Sequence, residues 1–142
     1  MTVSIKVSYG ELIDKITILE IKSRRVVEQA KLDNIRKELC HLLDVLNAHV
    51  NWDEETRGLM ADLRQVNNDL WEVEDHLRDQ ERQQLFHSQF IALARSVYRL
   101  NDRRADIKKM INQKLKSEMV EEKSYTPYEV CRDLATIAID EL

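Results

Sequence analysis

Apolar residues recur along this chain every three or four positions, in runs long enough for several helices. The first seven residues differ. Val3, Ile5 and Val7 alternate with Ser4 and Lys6, which predicts a short extended arm or edge strand over 1–7. Ser8 reads as an N-cap, with Glu11 three residues on to complete a capping box and Val7 as a staple residue. The first helix then carries Leu12, Ile16, Leu19, Val26 and Ala30 on one face, with Ser23 as its small polar member. Between Glu28 and Asn34 the stripe changes phase to Leu32, Ile35, Leu39, Leu42 and Leu46. One continuous helix cannot keep both stripes on one side. A kink or short break is therefore predicted near Lys31, with a second helix running to about His49.

Asn51 or Asp53 caps a third helix whose seam is Leu59, Leu63, Val66, Leu70, Val73 and Leu77. A fourth seam follows as Phe86, Phe90, Leu93, Val97, Leu100, Ile107 and Ile111. The polar stretch Arg78 to Gln84 between them has no Gly or Pro, so a loop and a bend both fit. In Thr126-Pro127-Tyr128-Glu129, Thr caps, Pro takes the first helical position and Glu the third. This predicts a last helix with Val130, Leu134, Ile137 and Ala138 inward. Seams spaced alternately four and three suit near-parallel packing. The predicted fold class is all-α: one domain over 1–142, an antiparallel bundle of long amphipathic helices at 8–117, a short extended N-terminal arm at 1–7 and a short C-terminal helix at 126–141.

Composition agrees with helices. Only two Gly and one Pro occur in 142 residues, too few for a sheet protein with many tight turns. The net charge of −4 argues against a general nucleic-acid binder. It conceals an asymmetry. Arg95 to Lys116 holds eight Lys or Arg against two Asp, while Glu118 to Leu142 holds seven acids against Lys123 and Arg132. The acidic tail is expected to fold near the basic helix. Cys40 and Cys131 read as buried free thiols. No apolar run approaches a membrane span and no signal peptide is apparent, so a cytoplasmic location is expected.

Candidate chemistry centres on Arg104, a cation within an apolar seam. It can snorkel to solvent, pair with a carboxylate such as Glu11, Asp14 or Glu20, or hold an anionic ligand together with Lys108 and a first-helix lysine. Asn101, Lys108 and Asn112 lie on an adjoining strip. On the first helix Glu11, Lys15 and Lys22 fall near one line, where an ion pair between Glu11 and Lys15 is the common outcome. If the first and fourth helices pack together, Lys15 and Arg104 share one pocket.

Metal and catalytic signals are weak. Glu38 and His41 form a single Glu-x-x-His beside their stripe, whereas a di-iron bundle needs two such motifs and further glutamates. Asp69, Glu72, His76 and Asp79 line a polar face. Glu-x-x-Asp pairs occur at Glu11/Asp14 and Glu72/Asp75, and all-α nucleotide pyrophosphohydrolases hold magnesium with such pairs. In so acidic a chain these spacings arise by chance. No Gly-rich loop is available to cradle phosphates, and neither cysteine has a marked basic neighbourhood. No cofactor or metal is expected.

Three stretches together carry a resemblance: Val7 to Lys22 with its Ser8-Tyr9-Gly10-Glu11-Leu12 opening, Leu100 to Lys108, and Glu121-Glu122-Lys123-Ser124-Tyr125. They resemble an uncharacterised bacterial family of small helical proteins with a domain of unknown function, associated with surface-polysaccharide gene neighbourhoods. The resemblance covers most of residues 3–125, and the helix after Tyr125 departs from it. It implies no activity. It draws attention to the faces Glu11–Lys22 and Asn101–Lys108, and to Lys123–Tyr125. A likeness to all-helical chorismate mutases would enlist Arg24, Lys31 and Arg104, but the phase change at 28–34 breaks the long first helix such enzymes need.

The function expected from sequence is a non-catalytic helical interaction module, homodimeric or with a protein partner, with a link to surface-polysaccharide metabolism. The alternative is a protein binding a nucleotide, nucleotide-sugar or sugar-phosphate, or a magnesium-dependent pyrophosphohydrolase-like enzyme. The candidate ligand-binding residues are Glu11, Asp14, Lys15, Lys22, Asn101, Arg104, Lys108, Lys123 and Tyr125.

Overall fold

A computed structural model describes residues 1–128 of the chain. It contains four helices: α1 (Tyr9–Arg25), α2 (Gln29–His49), α3 (Glu54–Arg82) and α4 (Ser88–Lys114). The all-α architecture follows the periodicity of the sequence. The predicted C-terminal helix falls mostly outside the described residues, as does Cys131.

The first helix is the hub. It neighbours α2, α3 and α4, and α3 also packs along α4. A helix with three neighbours is buried over much of its circumference. Ile13, Ile16, Leu19 and Ile21 are therefore all buried, together with the polar Asp14 and Thr17. The single face predicted from Leu12, Ile16 and Leu19 captures one side of this contact. Ile13 and Ile16 make one core with Leu46 and Val50 from the α2 end, Met60, Leu63 and Val66 from α3, and Ile107 and Ile111 from α4.

The break between α1 and α2 falls at 26–28, a few residues before Lys31. Val26 leaves the helix with extended φ and ψ of −78° and 129°, and its amide donates to the Lys22 carbonyl. Ala30, expected on the first helix's inner face, is exposed on α2. Asp53 caps α3, accepting from the Thr56 amide at 2.8 Å. The same carboxylate pairs with Lys114 at the far end of α4, which also reaches Glu55. Those bonds hold Asp53 well below the usual carboxylate range.

The polar stretch after α3 resolves into a loop at 83–87. The helix runs on to Arg82 and closes with two reversed bonds, Leu85 N–H to the Gln80 carbonyl and Gln84 N–H to the Glu81 carbonyl. This is a Schellman motif, and Gln84 takes the left-handed position at φ 56°. Phe86, placed on the fourth seam by its spacing, sits in this loop and meets Phe90 edge to face. Of the two forms expected for residues 1–7, the arm is the one seen: no strand is assigned among the described residues, and Val3 and Ile5 are exposed. One further expectation is corrected. Cys40 is exposed on α2 and not buried, because it lies outside the Leu39/Leu42 stripe.

Candidate functional site

The first turn of α1 meets the last turn of α4. Every helix starts with amides that have no partner within it. Here Ser8 Oγ accepts from the Glu11 amide at 3.1 Å, Asn112 Oδ1 from Gly10 at 2.7 Å and Ser117 Oγ from Tyr9 at 2.9 Å. The predicted capping box is thus half made, because the Glu11 carboxylate turns to Lys108 at 2.8 Å instead of back to its own helix. The approach is close enough to require glycine. A Cβ on Gly10 would lie 2.6 Å from the Lys108 carbonyl oxygen and 2.9 Å from Asn112 Oδ1.

One turn deeper, Asp14 is only 1% exposed. Arg104 Nε donates to Asp14 Oδ1 at 2.9 Å and Arg104 Nη2 to Oδ2 at 2.5 Å, a bidentate fork. Asn67 Nδ2, from α3, donates to Asp14 Oδ1 and to Thr17 Oγ1, each at 2.8 Å. Thr17 in turn donates to the Asp14 carbonyl at 2.8 Å. Three helices are therefore joined through one buried carboxylate. Of the readings open for Arg104, the pair with Asp14 is the one realised.

Lys108 is the second cation, its side chain 10% exposed. Its ammonium lies 2.8 Å from Glu11 Oε2, 2.6 Å from Glu121 Oε2 and 3.9 Å from Asp14 Oδ2. Glu121 comes from the helix-free segment after α4, and its carboxylate also pairs with Lys123. Burial pushes the Lys108 ammonium down, but its hydrogen bonds to Glu11 and Glu121 and the charge of Asp14 outweigh it and leave it above an ordinary lysine. Arg104 is raised by its bonds to Asp14, against burial. Hydrogen bonds from Lys108 and then Lys123 lower Glu121 to about 2.

These groups wall a cavity of about 190 Å³ that also touches Asn101 and Tyr125. Asn101 and Arg104 separate it from a groove of about 510 Å³ between α1, α3 and α4. Asn101 and Tyr125 border a third hollow of about 440 Å³, lined with Tyr98 and Tyr128. In the cluster Arg104, Lys108 and Lys123 balance Glu11, Asp14 and Glu121. Withdrawing Glu121 leaves one uncompensated positive charge.

Seven of the nine candidate residues meet here: Glu11, Asp14, Asn101, Arg104, Lys108, Lys123 and Tyr125. Asp14 stands behind Arg104 and does not line the cavity. Lys15 and Lys22 do not join them. Lys15 faces α2 and pairs with Glu38 at 2.8 Å, so neither the Glu11 pair nor the shared pocket with Arg104 forms. Lys22 is half-buried away from the cavity. Sequence reasoning missed Thr17, Asn67, Ser117 and Glu121 as members. Asn67, beside Val66 in a seam, carried a usable signal, Thr17 and Glu121 lie within stretches that carry the resemblance, and Ser117 reads as an ordinary polar position. Among the described residues no group of three or more His, Cys, Asp or Glu side chains is arranged to hold a metal ion. The Glu11 and Asp14 carboxylates each face a cation instead, and Glu72 pairs with Arg25 at 3.2 Å.

Fold and site together define a small all-α protein whose central helix is locked to its last long helix through a buried cluster of mixed charge. The chain belongs to a family of unknown function (DUF6165), whose model matches residues 1–132. No curated protein and no solved structure matches it. Among the described residues no helix is long and apolar enough to cross a membrane.

Proposed function

We propose that this protein binds a small molecule through an anionic group, phosphate or carboxylate, in the cavity at Lys108. One observation carries the reading. The lysines of the cavity are satisfied by Glu121, a carboxylate on a segment without helical structure, and not solely by acids fixed on the helices. A ligand oxygen can take the place of Glu121 Oε2 on Lys108 without disturbing the Asp14–Arg104 pair. Lys123 and the outer edge of Arg104 then add donors, and guanidinium and ammonium groups together suit an oxyanion.

The test is a thermal-shift panel of nucleotides, nucleotide sugars, sugar phosphates and inorganic pyrophosphate. Binding to the native state raises the melting temperature by mass action. One anionic class raises it, and Lys123→Ala reduces the rise while the fold survives, because Lys123 has no part in the buried pair. A flat panel at millimolar concentrations contradicts the proposal. The resemblance to proteins from surface-polysaccharide neighbourhoods puts nucleotide sugars first in the panel.

A second reading, self-association, is favoured by the far end of the α3–α4 hairpin. Leu85, Phe86 and Ile91 are exposed there, and Leu77, Phe90 and Leu93 are half-buried outside the core cluster. Asp69 to Arg82 carries six acids against two arginines, while Ser88 to Asn101 carries Arg95 and Arg99 and no acid. A second copy related by a two-fold axis brings acidic α3 against basic α4. Sedimentation equilibrium tests this. A monomer at all concentrations contradicts it.

A further inference from the structure

The groove on the other side of Arg104 has a different character from the cavity at Lys108. At about 510 Å³ it is in the range of small-molecule pockets, whereas the 190 Å³ cavity holds little more than a charged head group. Its floor is Ile18, Leu70 and Trp71, and its rim carries the carboxylates of Glu74 and Asp75. Arg78 lies 3.6 Å from Glu74, so its charge is already answered. The Arg25 guanidinium sits 5.9 Å from the centre of the Trp71 ring, which helps to fix the indole in place. Asn101 and Arg104 line both the groove and the cavity, so the two hollows adjoin at these side chains.

We infer that the groove takes a flat, uncharged ring bearing N–H or O–H groups, such as a nucleobase. The ligand of the site as a whole is then a phosphorylated ring compound of the nucleotide type. This rests on the anion-binding reading above and deepens it. The indole supplies a face for stacking, which is worth about 1–3 kcal/mol per base in proteins that bind single strands. Ile18 and Leu70 favour an apolar surface over a fully hydroxylated one. An ionised carboxylate accepts hydrogen bonds and donates none, so Asp75, beside the Glu74–Arg78 pair, selects ring donors over a second phosphate. The phosphate is directed to Lys108 and Lys123, where one positive charge is left uncompensated once Glu121 is displaced.

The chain has two tryptophans, so a Trp52→Phe variant makes Trp71 the sole indole reporter. That variant is titrated with adenosine and uridine 5′-monophosphates, ribose 5-phosphate and inorganic pyrophosphate, by fluorescence and by calorimetry. At least one nucleoside monophosphate is expected to quench Trp71 and to bind roughly tenfold tighter than ribose 5-phosphate, the fold-change that loss of one stacked ring gives. Pyrophosphate is expected to bind with Trp71 unaffected. Trp71→Leu, which keeps an apolar filler, should bring the nucleotide down to the ribose 5-phosphate level. Binding of every probe with equal affinity, or binding seen by calorimetry with Trp71 silent, overturns the ring site and leaves the anion site standing. Absence of binding by every probe, pyrophosphate included, overturns both.

Discussion

Arg104 and Asp14, ninety positions apart in the chain, are joined by two hydrogen bonds of 2.9 and 2.5 Å. The aspartate is buried and the arginine closes it off from the cavity. The pair fixes how α1 and α4 are registered, and so where Lys108 and Glu11 stand. A buried ion pair is costly to break from one side, because the remaining charge is left without a partner. Arg104→Met alone is therefore expected to destabilise the protein by about 3 kcal/mol. Arg104→Met combined with Asp14→Leu should recover most of that loss. Urea unfolding of the two singles and the double gives the coupling, and additive losses would mean that the pair is not the unit described here.

Gly10 and Gly58 make an internal comparison. Both lie in helices, where alanine is favoured by about 1 kcal/mol. At Gly58 a new Cβ meets nothing within 4 Å, so Gly58→Ala should stabilise by that amount. At Gly10 it meets the Lys108 backbone at 2.6 Å. Gly10→Ala should push α1 from α4 and destabilise by about 2 kcal/mol. Opposite shifts in melting temperature are expected from the same chemical change.

Both long hairpin helices stop on a residue that is poorly suited to the task. Gln84 after α3 and Lys116 after α4 have φ of 56° and 55°. A side chain in this region costs about 1 kcal/mol relative to glycine. Gln84→Gly and Lys116→Gly should each stabilise by about that much, as read from chemical unfolding. Unchanged midpoints would mean that the two ends are not closed by left-handed residues.

The pH dependence of the Glu121 contact follows from the sign of its shift. Its value falls from 4.5 to about 2 in the folded protein, through Lys108 and then Lys123. A lowered carboxylate contributes fully above its unfolded value, and that contribution is lost as pH falls through the folded one. Docking of the segment is therefore intact above pH 4.5 and released on acidification towards 2. Carboxyl NMR of Glu121 should give a midpoint near 2 in the native protein, moving up towards 4.5 in the Lys108→Met variant. A midpoint near 4.5 in both would deny the contact.

Much of the fold was legible because helix seams are written every three or four residues, and the Ser8 and Asp53 caps have side-chain signatures. The end of α3 was not, since its Schellman motif uses Gln84 where glycine would have announced it. The break after Arg25 was displaced for a similar reason: Val26 and Ala30 continue the apolar spacing beyond the point where the helix stops. At the site, Arg104 stood out as a cation in a seam, and Asp14 was among its named partners. Lys15 was misplaced because periodicity gives a face but not which neighbour that face meets. With α2 beside it, Lys15 found Glu38. Glu121 was missed because an irregular segment has no period from which to infer where a side chain points.

The most direct test of the account compares pyrophosphate binding to the native protein and to Glu121→Gln by titration calorimetry. The substitution keeps the size of the side chain and removes the charge that holds Lys108 and Lys123. If Glu121 occupies the ligand's place, the competent state becomes more populated and the apparent affinity rises, by roughly tenfold if the segment is docked nine-tenths of the time. An affinity that is unchanged or weaker in Glu121→Gln, or no binding to either protein, would contradict the claim that an anion exchanges with this carboxylate.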